Sequence, residues 1–418
     1  MKAYKGNIIY TESPWDFKIH EDSYVLVEDG FIKDIVKEKP DCEIEDFGDK
    51  LIIPAMNDIH IHAPQFSNSG IGYDEELLPW LNKYTFPTEA KFKDKDIAEK
   101  IYKRFVELLW RYGTMRSVVF ASLHKDATET LFDLFKEAGL AAYIGKVNMD
   151  RNSVDELTET KEDSLKATKE IIEKYRNEEF VKPIITPRFV PSCTDELMEG
   201  LQKIILDEKL PVQSHLSENK GEIAWVKELH PDSENYGSVY DKYDMFGTTP
   251  TIQAHCVYCT EEEKKMMEEK DVYVAHCPTS NLNLMSGIAP IKEYLERGIK
   301  VGLGTDVAGG HTFNLWQVLT SAIQSSKMHW LYVDDSKDPL TTSEAFYIAT
   351  KGGGEFFGKV GSFEKDYAFD ALVIDDSDLK DFDINPQERL EKLIYMGDDR
   401  HIIKRFLQGK EIKEPFKE

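Results

Sequence analysis

The chain has 418 residues, 41% of them hydrophobic, and carries 77 acidic against 52 basic side chains, a formal net charge of -25 at pH 7. That length exceeds what one core usually fills, so a large domain with a smaller companion is expected. The charge repels nucleic acid and anionic membranes, and no apolar run approaches membrane-spanning length, so neither is expected as a partner. Five cysteines, an odd number, point to a reduced interior. The opening MKAYKGNIIYTESPW has neither the apolar core nor the cleavage site of a secretion signal, so a cytoplasmic location is expected.

The first 50 residues carry β patterns. Residues 24–28 and 31–36 are apolar-rich runs joined by Asp29-Gly30, a dipeptide suited to a type I′ hairpin turn. A similar run, YAFDALVID, recurs at 367–375. The two ends are therefore expected to build one small sandwich domain, 1–53 with 362–418, around a larger domain spanning 54–361. Within the latter, 51–62, 116–122, 141–147, 183–189, 211–215, 251–255, 272–276 and 300–304 read as short buried strands with helical segments between them. Ile97, Ile101, Phe105, Leu108 and Leu109 recur at helical spacing before Gly113, and Thr260 with Glu263 and Thr341 with Glu344 form capping-box patterns. Eight strand–helix units and no glycine-rich dinucleotide turn favour an α/β fold, a (β/α)8 TIM-type barrel, over an open doubly wound sheet.

A barrel keeps its chemistry at the C-terminal ends of its strands. The first such end reads PAMNDIHIHAPQ, where His60 and His62 project from one face of a strand, about 7 Å apart, and can clamp one ion. Later ends supply Arg188, His215, His255, His276 and Asp306. Zinc prefers nitrogen and oxygen ligands, and a catalytic site leaves one position open. His60, His62, His215 and Asp306 can form that shell, with His255 either a further ligand or the partner of the water that the ion activates. His276 is expected to support the shell or to be structural. Iron(II) accepts the same ligands.

Glu218 follows His215 in HLSE and could move a proton from the activated water, or could simply favour the N-terminus of the following helix. Arg188 could donate to a carbonyl oxygen or pair with one of the many acids, and Phe189 could pack on a flat ligand. Gln65 offers an amide to the edge of a heterocycle, or meets water in a loop. LLPWLNKYTFP (77–87) could cover the barrel mouth, or Trp80 and Phe86 could be ordinary packing. Cys256 and Cys259, a lone CxxC, are read as packing.

HIHAPQ, WLNKYTFPTE, TPRF, SHLSEN, AHCPTSN and GLGTDVAGG together resemble the amidohydrolase superfamily, and within it the family of guanine deaminases, from about residue 50 to 360. The resemblance implies one zinc per chain on His60, His62, His215 and Asp306, with His255 beside the water. It implies Glu218, His255 and Asp306 in catalysis and Gln65, Arg188 and Phe189 around a purine. The reaction implied is hydrolysis of guanine to xanthine and ammonia in purine metabolism, by a homodimer. Two departures stand out: Ala55-Met56-Asn57 occupies a place where the superfamily often has glycine after the proline, and Arg188 lies where other members carry a carboxylated lysine that bridges two metals. The rivals are a deaminase or chlorohydrolase of the same superfamily acting on a pyrimidine, pterin, triazine or nucleoside, and a non-catalytic scaffold on the same fold.

Overall fold

In the computed structural model, which describes residues 1–380 and 382–417, the two ends of the chain meet in one seven-stranded sheet. Its strands, from edge to edge, are Lys410–Glu411, Ile402–Leu407, Ala371–Ile374, Glu43–Pro54, Lys2–Ser13, Asp16–Glu28 and Phe31–Val36. The predicted hairpin is present, with both Asp29 (φ 54) and Gly30 (φ 85) in the left-handed region that a type I′ turn demands. Alternation sorts the side chains: Ile52 and Val373 turn to a cluster with Tyr4, Val25, Phe369 and Phe406. Their neighbours Leu51, Ile53, Leu372 and Ile374 face the main core instead. The C-terminal strand expected at 367–375 is confined to Ala371–Ile374. Asp370, just before it, is drawn instead into a buried ion pair with Arg116 (Nε to Oδ2, 2.5 Å).

The middle of the chain holds two parallel four-stranded sheets. One comprises Met56–His62, Thr114–Phe120, Ala141–Gly145 and Val181–Pro183; the other comprises Val212–Leu216, Thr251–His255, Val272–His276 and Lys300–Leu303. A short pair, Val147–Asn148 with Thr186–Pro187, lies beyond the first sheet. Backbone bonds connect the sheets at both borders: Gln213 N–H to Ile185 O at one, Asp306 N–H to His60 O (2.8 Å) and His62 N–H to Val307 O (3.0 Å) at the other. The strands are almost wholly buried, which explains why they read as apolar runs rather than as alternation. Three expected strands are broken. The 51–62 run divides at Ala55, its first residues ending a strand of the seven-stranded sheet and the rest opening the first parallel sheet. The 141–147 run is interrupted where buried Lys146 pairs with Glu159, and the 183–189 run where Pro183 and Pro187 lack the N–H a ladder requires.

Helices fill the connections, and their starts follow the sequence signals. Lys95–Arg111 is capped by Asp94, Glu261–Glu269 by the Thr260/Glu263 box and Thr342–Tyr347 by the Thr341/Glu344 box. The first of these ends before Gly113 (φ 79), a conformation for which glycine carries no steric cost.

Candidate active site

His60 and His62 leave the end of Met56–His62 on one face, with their Nε2 atoms 3.3 Å apart. His215, from the end of Val212–Leu216, brings its Nε2 to 3.2 Å from that of His62. Asp306, just past Lys300–Leu303, places Oδ1 3.3 Å from His60 Nε2 and 3.4 Å from His62 Nε2. Four ligands at about 2.0–2.1 Å from a tetrahedral ion stand roughly 3.4 Å apart, so the donor set fits a zinc-sized cation. Protonation agrees. Burial holds the His62 and His215 imidazoles well below their usual pKa, and a ligand imidazole must be neutral. His215 Nδ1 lies 2.5 Å from the Arg188 carbonyl, which can only accept, so the hydrogen sits on Nδ1 and the Nε2 lone pair is turned to the centre. A second group that could hold a metal overlaps the first: His60, His255 and Cys277.

The backbone is strained where these residues emerge. His255 (φ 72), Asp306 (φ 46) and Ser217 (φ 50) all adopt the left-handed region without being glycine, a cost typical of places where function fixes a side chain. His255 lies against both carboxylates, its Nε2 3.4 Å from Glu218 Oε2 and 3.8 Å from Asp306 Oδ2. Burial works against a charge on His255, yet these two carboxylates raise its pKa above the ordinary value. Its Nδ1 is 2.9 Å from Asn281 Oδ1.

Glu218 is buried, and desolvation pushes its carboxyl up to about 7. Ser286 Oγ donates to its Oε1. The helix it precedes, Lys220–Leu229, is capped by Asn219 with Glu222, whose Oε2 takes the Glu218 N–H. Glu218 is therefore free of capping duty, and its carboxylate faces the cavity.

That cavity is lined by His62, His215, His255, Glu218 and Asp306. Gln65, Arg188, Phe189, Leu77, Trp80 and Leu81 are also in its wall, so the 77–87 segment lines the cavity through three residues while Trp80 and Phe86 also pack in the core. Of the two readings of Arg188 the structure shows the pairing, through two N–H···O bonds with buried Glu89, and the same residue lines the cavity. His276 is not among the lining residues. It is buried, burial takes it down to about 3, and among the described residues its Nδ1 has no partner. Cys256 and Cys259 are free thiols, Cys256 wholly buried.

Sequence reasoning missed Glu89, Asn281 and Ser286. Glu89 and Asn281 lie inside stretches quoted for the resemblance, WLNKYTFPTE and AHCPTSN, but only the fold reveals which side chains they meet.

Comparison with known proteins places the chain in a family. A profile of the amidohydrolase family matches residues 51–412. Guanine deaminase of Dictyostelium discoideum is 38% identical over 99% of this chain and 98% of its own, and that of Mus musculus 39% identical over 89% and 85%. The crystal structure of guanine deaminase from C. acetobutylicum with bound guanine in the active site superposes with a TM-score of 0.97 at 53% identity, covering 99% of this chain and all of that one. An adenosine deaminase from Xanthomonas campestris with bound zinc shares the fold at 20% identity (TM-score 0.86). The chain belongs to the amidohydrolase family.

Proposed function

We propose that this protein is a guanine deaminase, which hydrolyses guanine to xanthine and ammonia. The observation that carries the reading is one cavity lined by His62, His215 and Asp306 of the donor set, with His60 3.3 Å from His62 and from Asp306, together with a buried carboxylate, an arginine, an amide and a phenyl ring. A relative at 53% identity holds guanine in its active site.

His60, His62, His215 and Asp306 would hold one zinc ion per chain, iron(II) being acceptable to the same donors. When bound, such an ion lowers the pKa of water to near neutral and acts as a Lewis acid. Arg188 and Gln65 would fix the purine edge while Phe189 packs on the ring, setting C2 above the donors. Glu218 takes a proton from the attacking water and delivers it to ring N3, which makes C2 more electrophilic. The C2–O bond forms, His255 stabilises the charge that develops on that oxygen, and Asp306 takes the remaining proton from the oxygen and passes it to the amine as the C2–N bond breaks and the C2 carbonyl forms. His255 is assigned to the water rather than to the ion because it already contacts both carboxylates.

The same reading takes the two parallel sheets, bonded at both borders, as a (β/α)8 barrel (54–361) and the seven-stranded sheet as its sandwich companion (1–53 with 362–418). It includes a homodimer, checked by solution mass. Among the described residues no helix is long and apolar enough to cross a membrane; a cytoplasmic location belongs to the proposal.

The test is to supply metal-replete protein with guanine and follow ammonia release together with the ultraviolet change to xanthine. No ammonia from a metal-loaded sample overturns the assignment.

A further inference from the structure

Glu89 is 2% exposed, ends the short helix Phe86–Glu89, and stands behind the cavity wall rather than in it. Its Oε2 accepts from Arg188 Nη1 at 2.6 Å, and its Oε1 accepts both from Arg188 Nη2 at 3.0 Å and from Gln65 Nε2 at 2.9 Å. One buried carboxylate thus grips both polar side chains of the recognition wall.

The chemistry of that grip fixes hydrogen-bond polarity. A carboxylate beside a guanidinium accepts and does not donate, so the Gln65 group that meets it must be the NH2. Its carbonyl oxygen is then turned the other way, where it accepts from the Ala308 N–H at 3.4 Å and keeps a second lone pair. Arg188 spends one N–H of each terminal nitrogen on Glu89 and keeps the others, while its guanidinium lies 5.0 Å over the Phe86 ring. The wall consequently presents donors from Arg188 and an acceptor from Gln65. A lactam edge, with a carbonyl oxygen next to a ring N–H, matches that order. An amidine edge, with an exocyclic amine next to a bare ring nitrogen, reverses it.

We infer that Glu89 is a positioning residue that selects 6-oxopurines over 6-aminopurines by setting the orientation of the Gln65 amide and the Arg188 guanidinium. The inference rests on the guanine reading above and deepens it. The informative pair of substrates is guanine and 2,6-diaminopurine, which carry the same C2 amine and differ at the edge in question.

In metal-loaded wild type, guanine should be preferred in kcat/KM by about 100-fold or more, since buried polar groups left facing their own kind reject the mismatched analogue. Glu89→Gln puts an amide where the carboxylate stood, lets Gln65 turn over, and should cut that preference at least tenfold, mainly through a higher KM for guanine, with metal content unchanged. If the two substrates lose equally, or the ratio does not move, Glu89 is structural and the inference fails. Should Glu89→Gln not fold, Gln65→Leu decides: loss of the acceptor must lower the same ratio, and an unchanged ratio overturns the inference. A wild type inert toward guanine would instead sink the deaminase assignment, so the two failures are distinguishable.

Discussion

The two walls of the cavity are built in different ways. On the metal-donor side, His60 and His215 come from ends of parallel strands, Asp306 and Glu218 follow within a few residues, and the spacing between donor atoms is set by sheet geometry. On the recognition side, Gln65 and Glu89 sit in short helical turns of the segment after Met56–His62, and Arg188 and Phe189 come from near a strand end. The first wall is held by the backbone ladder, the second by side-chain bonds to a single carboxylate. On the proposed function, reaction chemistry is therefore tied to the rigid frame, whereas choice of substrate is tied to a network that a few substitutions can rewire.

Tests that separate the walls start with the cation. Removal by a strong chelator should abolish ammonia release, with recovery on adding back zinc; full activity in a sample shown by elemental analysis to be metal-free would remove the donor wall from the reaction. Next comes Glu218→Gln, which should lower kcat by about 10²–10⁴ while keeping metal, as expected for loss of a proton-transferring group. The same carboxyl predicts a pH effect. It must be ionised to take a proton, and burial raises it to about 7. A neighbouring cation would pull it down from there, so kcat should fall on acidification with a limb between about pH 4.5 and 7. The Glu218→Gln enzyme should lack that limb, and its persistence would assign the limb to another group.

On the other wall the effects should be smaller and fall on binding. Arg188→Ala is expected to raise KM for guanine by about 10–100-fold at unchanged metal content, the cost of leaving Glu89 buried and half-partnered. Equal loss of metal and of binding would show that the two walls are one unit. The smallest effect is far from both: Thr260→Ala removes a helix cap and should cost about 1 kcal/mol in urea denaturation with turnover intact.

Much of the donor wall was legible in the sequence because strand ends announce themselves. An apolar run followed by a histidine or aspartate occurs at His62, His215, His255 and Asp306, and alternation predicts which face HxH shows. The strand boundaries of Thr251–His255 and Val272–His276 match the prediction for the same reason. His276 followed that pattern too, yet its ring lies outside the cavity, because a strand end alone does not say which way the last side chain turns. The recognition wall was only half legible. Gln65, Arg188 and Phe189 stood out, but Glu89 meets Arg188 across 99 residues, and a glutamate at a helix end looks like any solvated acid. The 183–189 run does not form one continuous strand, because its prolines remove ladder bonds that apolar content alone suggests.

Strand Ala371–Ile374 pairs with Leu51–Pro54, the segment that leads directly into the first two histidines. The late strands Ala371–Ile374 and Ile402–Leu407 thus buttress a stretch made near the beginning of synthesis, and Arg116 leans on Asp370 across the same seam. A nascent chain halted before residue 371 has all four donors yet lacks the scaffold that seats two of them. On the proposed reading, two of the donors are therefore seated only once the distal strands have been made.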